Sequence, residues 1–314
     1  MRFPTARGAR AVSTVAYLFL FPLVVYYRDM YLQAIDPSSP VFSAGFGTWR
    51  DVVVRQPRVK SSRRPYEDVV YSTVWLDLRR EPWWCEVGEV RPELSFIGGI
   101  FDLWGFRVKE CGARLGTRGP ALVSAPLPLR GVPSNVETIV RGESAFAALV
   151  TETRWRDPYA LPGDPPVRPG VVLQPMSTIR GRRAPAPSPP PAHGVPSGGV
   201  ESGDEFWSVA NHVLTLVTPN AEDRPVLDRI AEIGVAAGRP WEAAAFPEEV
   251  LEGIRAGMDD ALNDLLEAAG QQSAGQVVGL DRDTMDRDSF RRALDALGRS
   301  NLTGRVGWEQ RLPH

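Results

Sequence analysis

The sequence predicts an α+β protein, an antiparallel β-sandwich followed by a small helical domain. Three observations carry that expectation. Between Tyr66 and Val140, short runs rich in β-branched and aromatic residues are punctuated by Gly, Pro and Asn. Residues 162–200 then hold 11 prolines in 39 positions. Past Ser202 the apolar residues recur at the 3.6-residue helical period.

In chain order, the N-terminal piece (1–40) comes first. Arg2, Arg7 and Arg10 precede a nearly unbroken apolar run, Val12–Tyr27. A basic start before such a run is how a signal or membrane anchor begins. The run from Val15 to Tyr27 is short for a bilayer, Pro22 interrupts it, and Tyr26-Tyr27-Arg28-Asp29 is not a small-x-small cleavage site. A buried core helix, a cytoplasmic location and no stable membrane insertion are therefore expected; export or anchoring through residues 12–27 is the alternative.

The sandwich is placed at 41–161. Asp68–Leu78 is the densest strand signal, broken by Glu81-Pro82, with further strands at Trp83–Val87, Leu94–Phe106, Ala121–Ala125 and Val136–Val140. Glu143–Thr153 puts Phe146, Leu149, Val150 and Thr153 on one helical face, which predicts a helix. Residues 162–200 read as an extended connector, because proline fixes φ and donates no backbone hydrogen bond. In the helical domain (201–314), Ser202-Gly203-Asp204-Glu205 reads as a capping box. Val226, Leu227 and Ile230 mark a second helix closed by Gly234, and Pro247 opens a long stripe from Val250 to Leu265. Phe290, Ala293, Leu294 and Leu297 mark a last helix.

Composition narrows the function classes. The chain has 314 residues, 43% hydrophobic and 24% charged, as an ordinary folded protein does. A net charge of -2 gives no global reason to expect nucleic acid, and two cysteines with three histidines leave little for a metal cage. No cofactor or metal is expected. Charge is split: residues 1–200 carry 25 Lys and Arg against 17 Asp and Glu, and residues 201–314 carry 11 against 21. The basic stretch Arg55–Arg64 could face the acidic half, and a homodimer or a partner supplied in trans is possible. Cys85 and Cys111 are expected to remain thiols in a cytoplasmic protein.

With these segments placed, the chain resembles domain-of-unknown-function family 1254, bacterial proteins often continued by a family 1214 domain. Ala16-Tyr17 with Pro22-Leu23-Val24 resembles the family's opening helix. Asp68-x-x-Tyr71-Ser72-x-x-Trp75-Leu76-Asp77-Leu78 resembles its most specific stretch. Asp102 in Phe-Asp-Leu, Gly112-Ala113-Arg114, Arg141, and Ile233-Gly234 with Gly238 are softer matches. Tyr66 and Val69-Val70 depart from the pattern. The resemblance implies an immunoglobulin-like sandwich plus a helical domain, no established reaction, and a 1214 domain that is expected to be absent.

Two functional readings follow. The first is a small-molecule-binding or accessory protein. Trp75 and Trp104 would wall an apolar ligand, with Trp83 and Trp84 nearby, and Asp102, Arg114 and Arg141 would supply polar or bidentate contacts. The second is an acid/base enzyme, a hydrolase or isomerase on a small organic substrate. Asp68 would act as base with Tyr71 or Ser72 assisting; on a strand, Asp68 and Ser72 share one face and Tyr71 points to the other. His193 and His212 stand apart in sequence, one in the connector and one on a helix.

Overall fold

The structure, a computed structural model, describes residues 3–57, 66–112, 120–126, 128–129, 131–155, 166–183, 185–191, 193–194, 203–271, 293 and 296. The chain divides into two compact units. Among the described residues, one unit takes those up to Leu32, the turn Leu103–Gly105 and those from Pro191 onward; the other takes Gln33–Asp102 and Phe106–Pro190.

The second unit is built on two sheets. Strands β1 (Arg50–Pro57), β2 (Tyr66–Asp77), β4 (Leu94–Asp102), β5 (Arg107–Gly112) and β8 (Phe146–Trp155) form one, in the order β1-β2-β8-β4-β5. Strands β3 (Trp83–Val87), β6 (Ala121–Ser124), β7 (Thr138–Arg141) and β9 (Val171–Pro175) form the other, in the order β7-β6-β3-β9. The two share one core: Val74, Leu76, Ile100 and Leu149 of the first sheet cluster with Cys85, Val123 and Val140 of the second. The α+β class and the strands between Asp68 and Val140 are as expected. One pair departs from an antiparallel arrangement, since β6 and β7 run parallel, Ala121 opposite Thr138. Cys85 and Cys111 lie on β3 and β5, in different sheets.

The segment expected to be a helix at Glu143–Thr153 is instead β8, the central strand of the first sheet. Its first four residues are all buried, so both faces are apolar and the two-residue alternation is erased. Short apolar runs of this kind fit either period, and Val150, Thr151 and Thr153 belong to a strand by β-branching. The proline-rich stretch likewise contributes structure. Val171–Pro175 pairs with β3, and α2 (Met176–Ile179) follows it. Proline is tolerated there because β9 is an edge strand, with no neighbour on one side to receive its N–H groups.

The other unit is helical: α1 (Ala6–Ala34), α3 (Glu205–Val213), α4 (Arg224–Ile230) and α5 (Glu248–Gln271). Helix α1 runs unbroken through Pro22. At about 1.5 Å per residue its 29 residues span about 43 Å, so shortness does not exclude a membrane span. By length and composition it could cross a membrane, and 67% of its most apolar stretch is buried within the protein. That burial is what a core helix shows.

Helices α1 and α5 meet backbone to backbone. A Cβ at Gly253 or Gly257 would collide with the carbonyl oxygens of Ala6 and Arg10. Ser13 Oγ donates to the Ile254 carbonyl at 2.6 Å, Thr14 Oγ1 donates to that of Gly257 at 3.1 Å, and Arg10 grips Asp260 at 2.6 and 2.8 Å. Val250, Ile254, Met258, Ala261 and Leu265 are buried along α5, as the stripe predicted. Gly234 ends the α4 region in the left-handed conformation, φ 80°, the closing role read for it. Asp204 precedes α3 but makes no side-chain cap; its carboxylate takes Arg255 instead, at 3.0 and 2.5 Å. Of the last predicted helix, Ala293 and Ala296 are helical and buried; Phe290, Leu294 and Leu297 lie outside the described residues.

Candidate functional site

Strand β2 carries the family-like stretch, and its pairing decides what each residue can do. Asp68, Val70, Ser72, Val74 and Leu76 share the face that holds the common core, while Tyr71, Thr73, Trp75 and Asp77 take the other. Two neighbouring cross-strand rows matter. In one, Ser72 stands opposite Thr151 of β8, which stands opposite Gly98 of β4. In the next, Val70 stands opposite Thr153, which stands opposite Phe96. Side chains directly opposite have Cβ atoms about 5 Å apart, so Ser72, Thr151 and Thr153 form one patch.

That patch is polar where packing alone would make it apolar. Ser72, Thr151 and Thr153 are at most 1% exposed, and none of their hydroxyl oxygens has a hydrogen-bond partner within the protein. Val70, Val74, Phe96 and Leu149 surround them on the same face, all buried. Thr151 turns its methyl toward Gly98, where a Cβ would lie 2.8 Å from Thr151 Cγ2 and 2.7 Å from the Val150 carbonyl oxygen. Glycine is therefore required at 98. On the edge strand β1, Asp51 is the register partner of Ser72. Arg168 Nε donates to Asp51 Oδ1 at 3.3 Å, and the guanidinium lies 4.0 Å from the centre of the Trp49 ring.

The residues singled out from the sequence fall as follows. Asp68 is half-buried opposite Arg55 of β1, on the same face as Ser72 but four positions away, about 13 Å along the strand. Tyr71 is on the other face, opposite Glu152. Trp75 is 4% exposed and its indole N–H donates to Gln33 Oε1 at 3.1 Å. Trp83 and Trp84 also spend their N–H groups locally, on the Asp77 carbonyl at 3.0 Å and on Glu86 Oε2 at 3.2 Å. Trp104 packs at a tilt against Phe19, centroids 5.2 Å apart, and belongs to the helical unit, whereas Trp75 belongs to the sheet unit.

Asp102 is fully buried and accepts from two backbone N–H groups, Phe106 at 3.1 Å and Glu143 at 3.4 Å. It pins the turn that leads from β4 into β5. Asp77 forms an ion pair with Arg79 at 2.7 Å, and Arg141 is exposed on β7. Arg114 lies outside the described residues, as do Arg58, Lys60, Arg63 and Arg64 of the basic stretch.

Sequence reasoning missed two groupings. The helical period over Glu143–Thr153 hides Thr151 and Thr153; the alternating Val-Thr-Glu-Thr-Arg of 150–154 is the strand signal that finds them. The other is a histidine pair. His193 and His212 stack with ring centroids 5.6 Å apart, Tyr27 approaches His212 edge-on at 5.7 Å, and Tyr27 Oη donates to the His193 carbonyl at 2.6 Å. Nothing in the spacing of 193 and 212 announces that contact. Among the described residues, no group of three or more His, Cys, Asp or Glu is placed to hold a metal ion.

No curated protein matches the chain. Among solved structures it is similar to the VPA0106 protein from Vibrio parahaemolyticus, a structural genomics target, with a TM-score of 0.65 and 17% identity over 92% of this chain and 67% of that one. At that identity the likeness concerns the fold alone. Residues 49–162, the stretch that contains β1, β2, β4 and β8, match the family described as Protein of unknown function (DUF1254), the family that the Tyr71-Ser72-x-x-Trp75-Leu76-Asp77-Leu78 element resembles.

Proposed function

We propose that this is a small-molecule-binding protein, which holds its ligand between the two sheets of a β-sandwich against the hydroxyls of Ser72, Thr151 and Thr153. One observation carries the reading: three adjacent hydroxyls on an otherwise apolar inner face, all buried and none bonded within the protein. Each buried polar group without a partner costs about 1–3 kcal/mol, so three in one patch call for a shared partner. An apolar site with a few convergent polar groups is the usual form of a ligand site. Asp68, at the outer end of the same face, is the acidic group closest to the patch along β2.

Amide NMR of the wild-type protein with millimolar benzyl alcohol, cyclohexanone and 1-hexanol tests the reading. Saturable shifts at residues 72, 151 and 153, with a raised Tm, are expected. The reading fails if none of the three shifts those amides in folded protein, or if a high-resolution structure shows ordered water satisfying all three hydroxyls.

A further inference from the structure

Charge around the hydroxyl patch narrows what it can take, and this step rests on the reading just given. Hydroxyls both donate and accept but carry no charge. An ion placed among Val70, Val74, Phe96 and Leu149 would need a buried counter-charge to offset its desolvation. The charged pair beside the patch is already committed: Arg168 holds Asp51 at 3.3 Å, lies on the Trp49 ring at 4.0 Å and donates to the Pro169 carbonyl at 3.4 Å.

The position of that pair matters as much as its charge. Asp51 sits on β1, an edge strand of the first sheet, directly opposite Ser72. Arg168 lies three residues before β9, an edge strand of the second sheet. The contact therefore straps the two edges together beside Ser72, and Trp49 packs against the shared core beneath it. It is also a weak contact. Asp51 is half in water, with its side chain 49% exposed, and a single 3.3 Å contact joins it to Arg168. An ion pair of that kind opens readily.

We infer that the site takes an uncharged, mainly apolar molecule ending in one hydroxyl or carbonyl group, and that the Trp49–Arg168–Asp51 strap is its entry. The ligand's polar end would both accept from and donate to Ser72, Thr151 and Thr153, with the apolar body against Val70, Val74 and Leu149.

Three probes on one skeleton test this: benzyl alcohol, benzoate and benzylamine, measured by NMR titration and line-shape analysis at neutral pH. The variants are Arg168→Ala, Asp51→Asn, Thr151→Val and Thr151→Ser. Benzyl alcohol is expected to bind, with both ions at least about tenfold weaker. Arg168→Ala and Asp51→Asn should raise the association and dissociation rates together, by about fivefold or more, and change Kd by less than about threefold. Thr151→Val should weaken binding and Thr151→Ser, which keeps the hydroxyl, should restore it. Equal binding of benzoate overturns the ligand class while leaving the site. Unchanged rates in both strap variants overturn the entry. If no probe binds folded wild-type protein, the hydroxyl-site reading itself falls, and this inference with it.

Discussion

Asn211 donates its side-chain Nδ2 to the Gly234 carbonyl at 3.0 Å, from a position only 1% exposed. The same amide donates to the Arg239 carbonyl at 3.0 Å and accepts from the Ala236 N–H at 2.8 Å, while its own backbone carbonyl takes the Gly238 N–H at 2.8 Å. One side chain on α3 thus fixes the loop that starts at the left-handed Gly234 and passes through Gly238, φ 71°. Asn211→Ala removes the side-chain partner of three partly buried backbone groups and should destabilise the protein by about 1–2 kcal/mol. Urea unfolding checks it: a midpoint unchanged from wild type would mean that the loop holds itself.

Gly257→Ala tests the contact between α1 and α5. Helix propensity alone predicts a gain of about 1 kcal/mol from this change. Close packing predicts the reverse, since the new Cβ would meet the Arg10 carbonyl, and Ser13 Cβ at 2.9 Å. Both obstacles are poorly able to yield, one being backbone and the other a buried residue. A net loss of about 2 kcal/mol or more is expected, read as a lower midpoint in thermal or urea unfolding. A stabilised variant would show that propensity wins.

Asp102 provides a test of positioning against binding. Asp102→Ala removes the acceptor of the Phe106 and Glu143 N–H groups and should cost about 2 kcal/mol. Asp102→Asn keeps one carbonyl oxygen there and should cost less. Benzyl alcohol affinity in Asp102→Asn should match wild type, because the carboxylate is occupied by backbone donors. A tenfold loss of affinity with unchanged stability would make Asp102 a ligand contact.

Burial, with the neighbouring His193 second, holds the His212 imidazole below its ordinary range. Tyr27 from α1 and His193 are the titratable groups packed on its ring. The folded protein keeps His212 neutral where the unfolded chain, with a pKa of about 6.5, takes up a proton. Stability from this residue is therefore complete above about pH 6.5 and declines as pH falls toward the lowered folded value. Unfolding midpoints at pH 7.5 and 5.0 should differ less in His212→Gln, which is neutral at both, than in wild type. An identical difference in the two proteins would remove His212 from the pH dependence.

Legibility followed the range of the interactions. The strand Asp68–Leu78 was readable because β-branched and aromatic residues crowd one short run, and α5 because Val250, Ile254, Met258 and Leu265 repeat at the helical period. Gly234 was readable as a terminator because only glycine adopts φ 80° without strain. These signals act over a few residues and do not depend on what lies opposite.

β8 marks where local reading stops. Its first half, Phe146–Leu149, is buried on both faces and carries no alternation, and pairing with β2 and β4 makes the whole segment a strand. The Ser72–Thr151–Thr153 patch depends on that pairing: a register shift of one residue would turn these side chains to the opposite face.

The sequence by itself determined the α+β class, the family-like element around Ser72, and the apolar stripe of α5. Only the tertiary structure decided that Ser72 would meet Thr151 while Asp68 stayed about 13 Å away along the strand, that Val171–Pro175 would leave the proline-rich stretch to become an edge strand, and that His193 would stack on His212. The physical reason is the same in each case. Periodicity and backbone preference are written in neighbouring residues, whereas register, burial and hydrogen-bond satisfaction belong to pairs that are distant in the chain and meet only in the folded state.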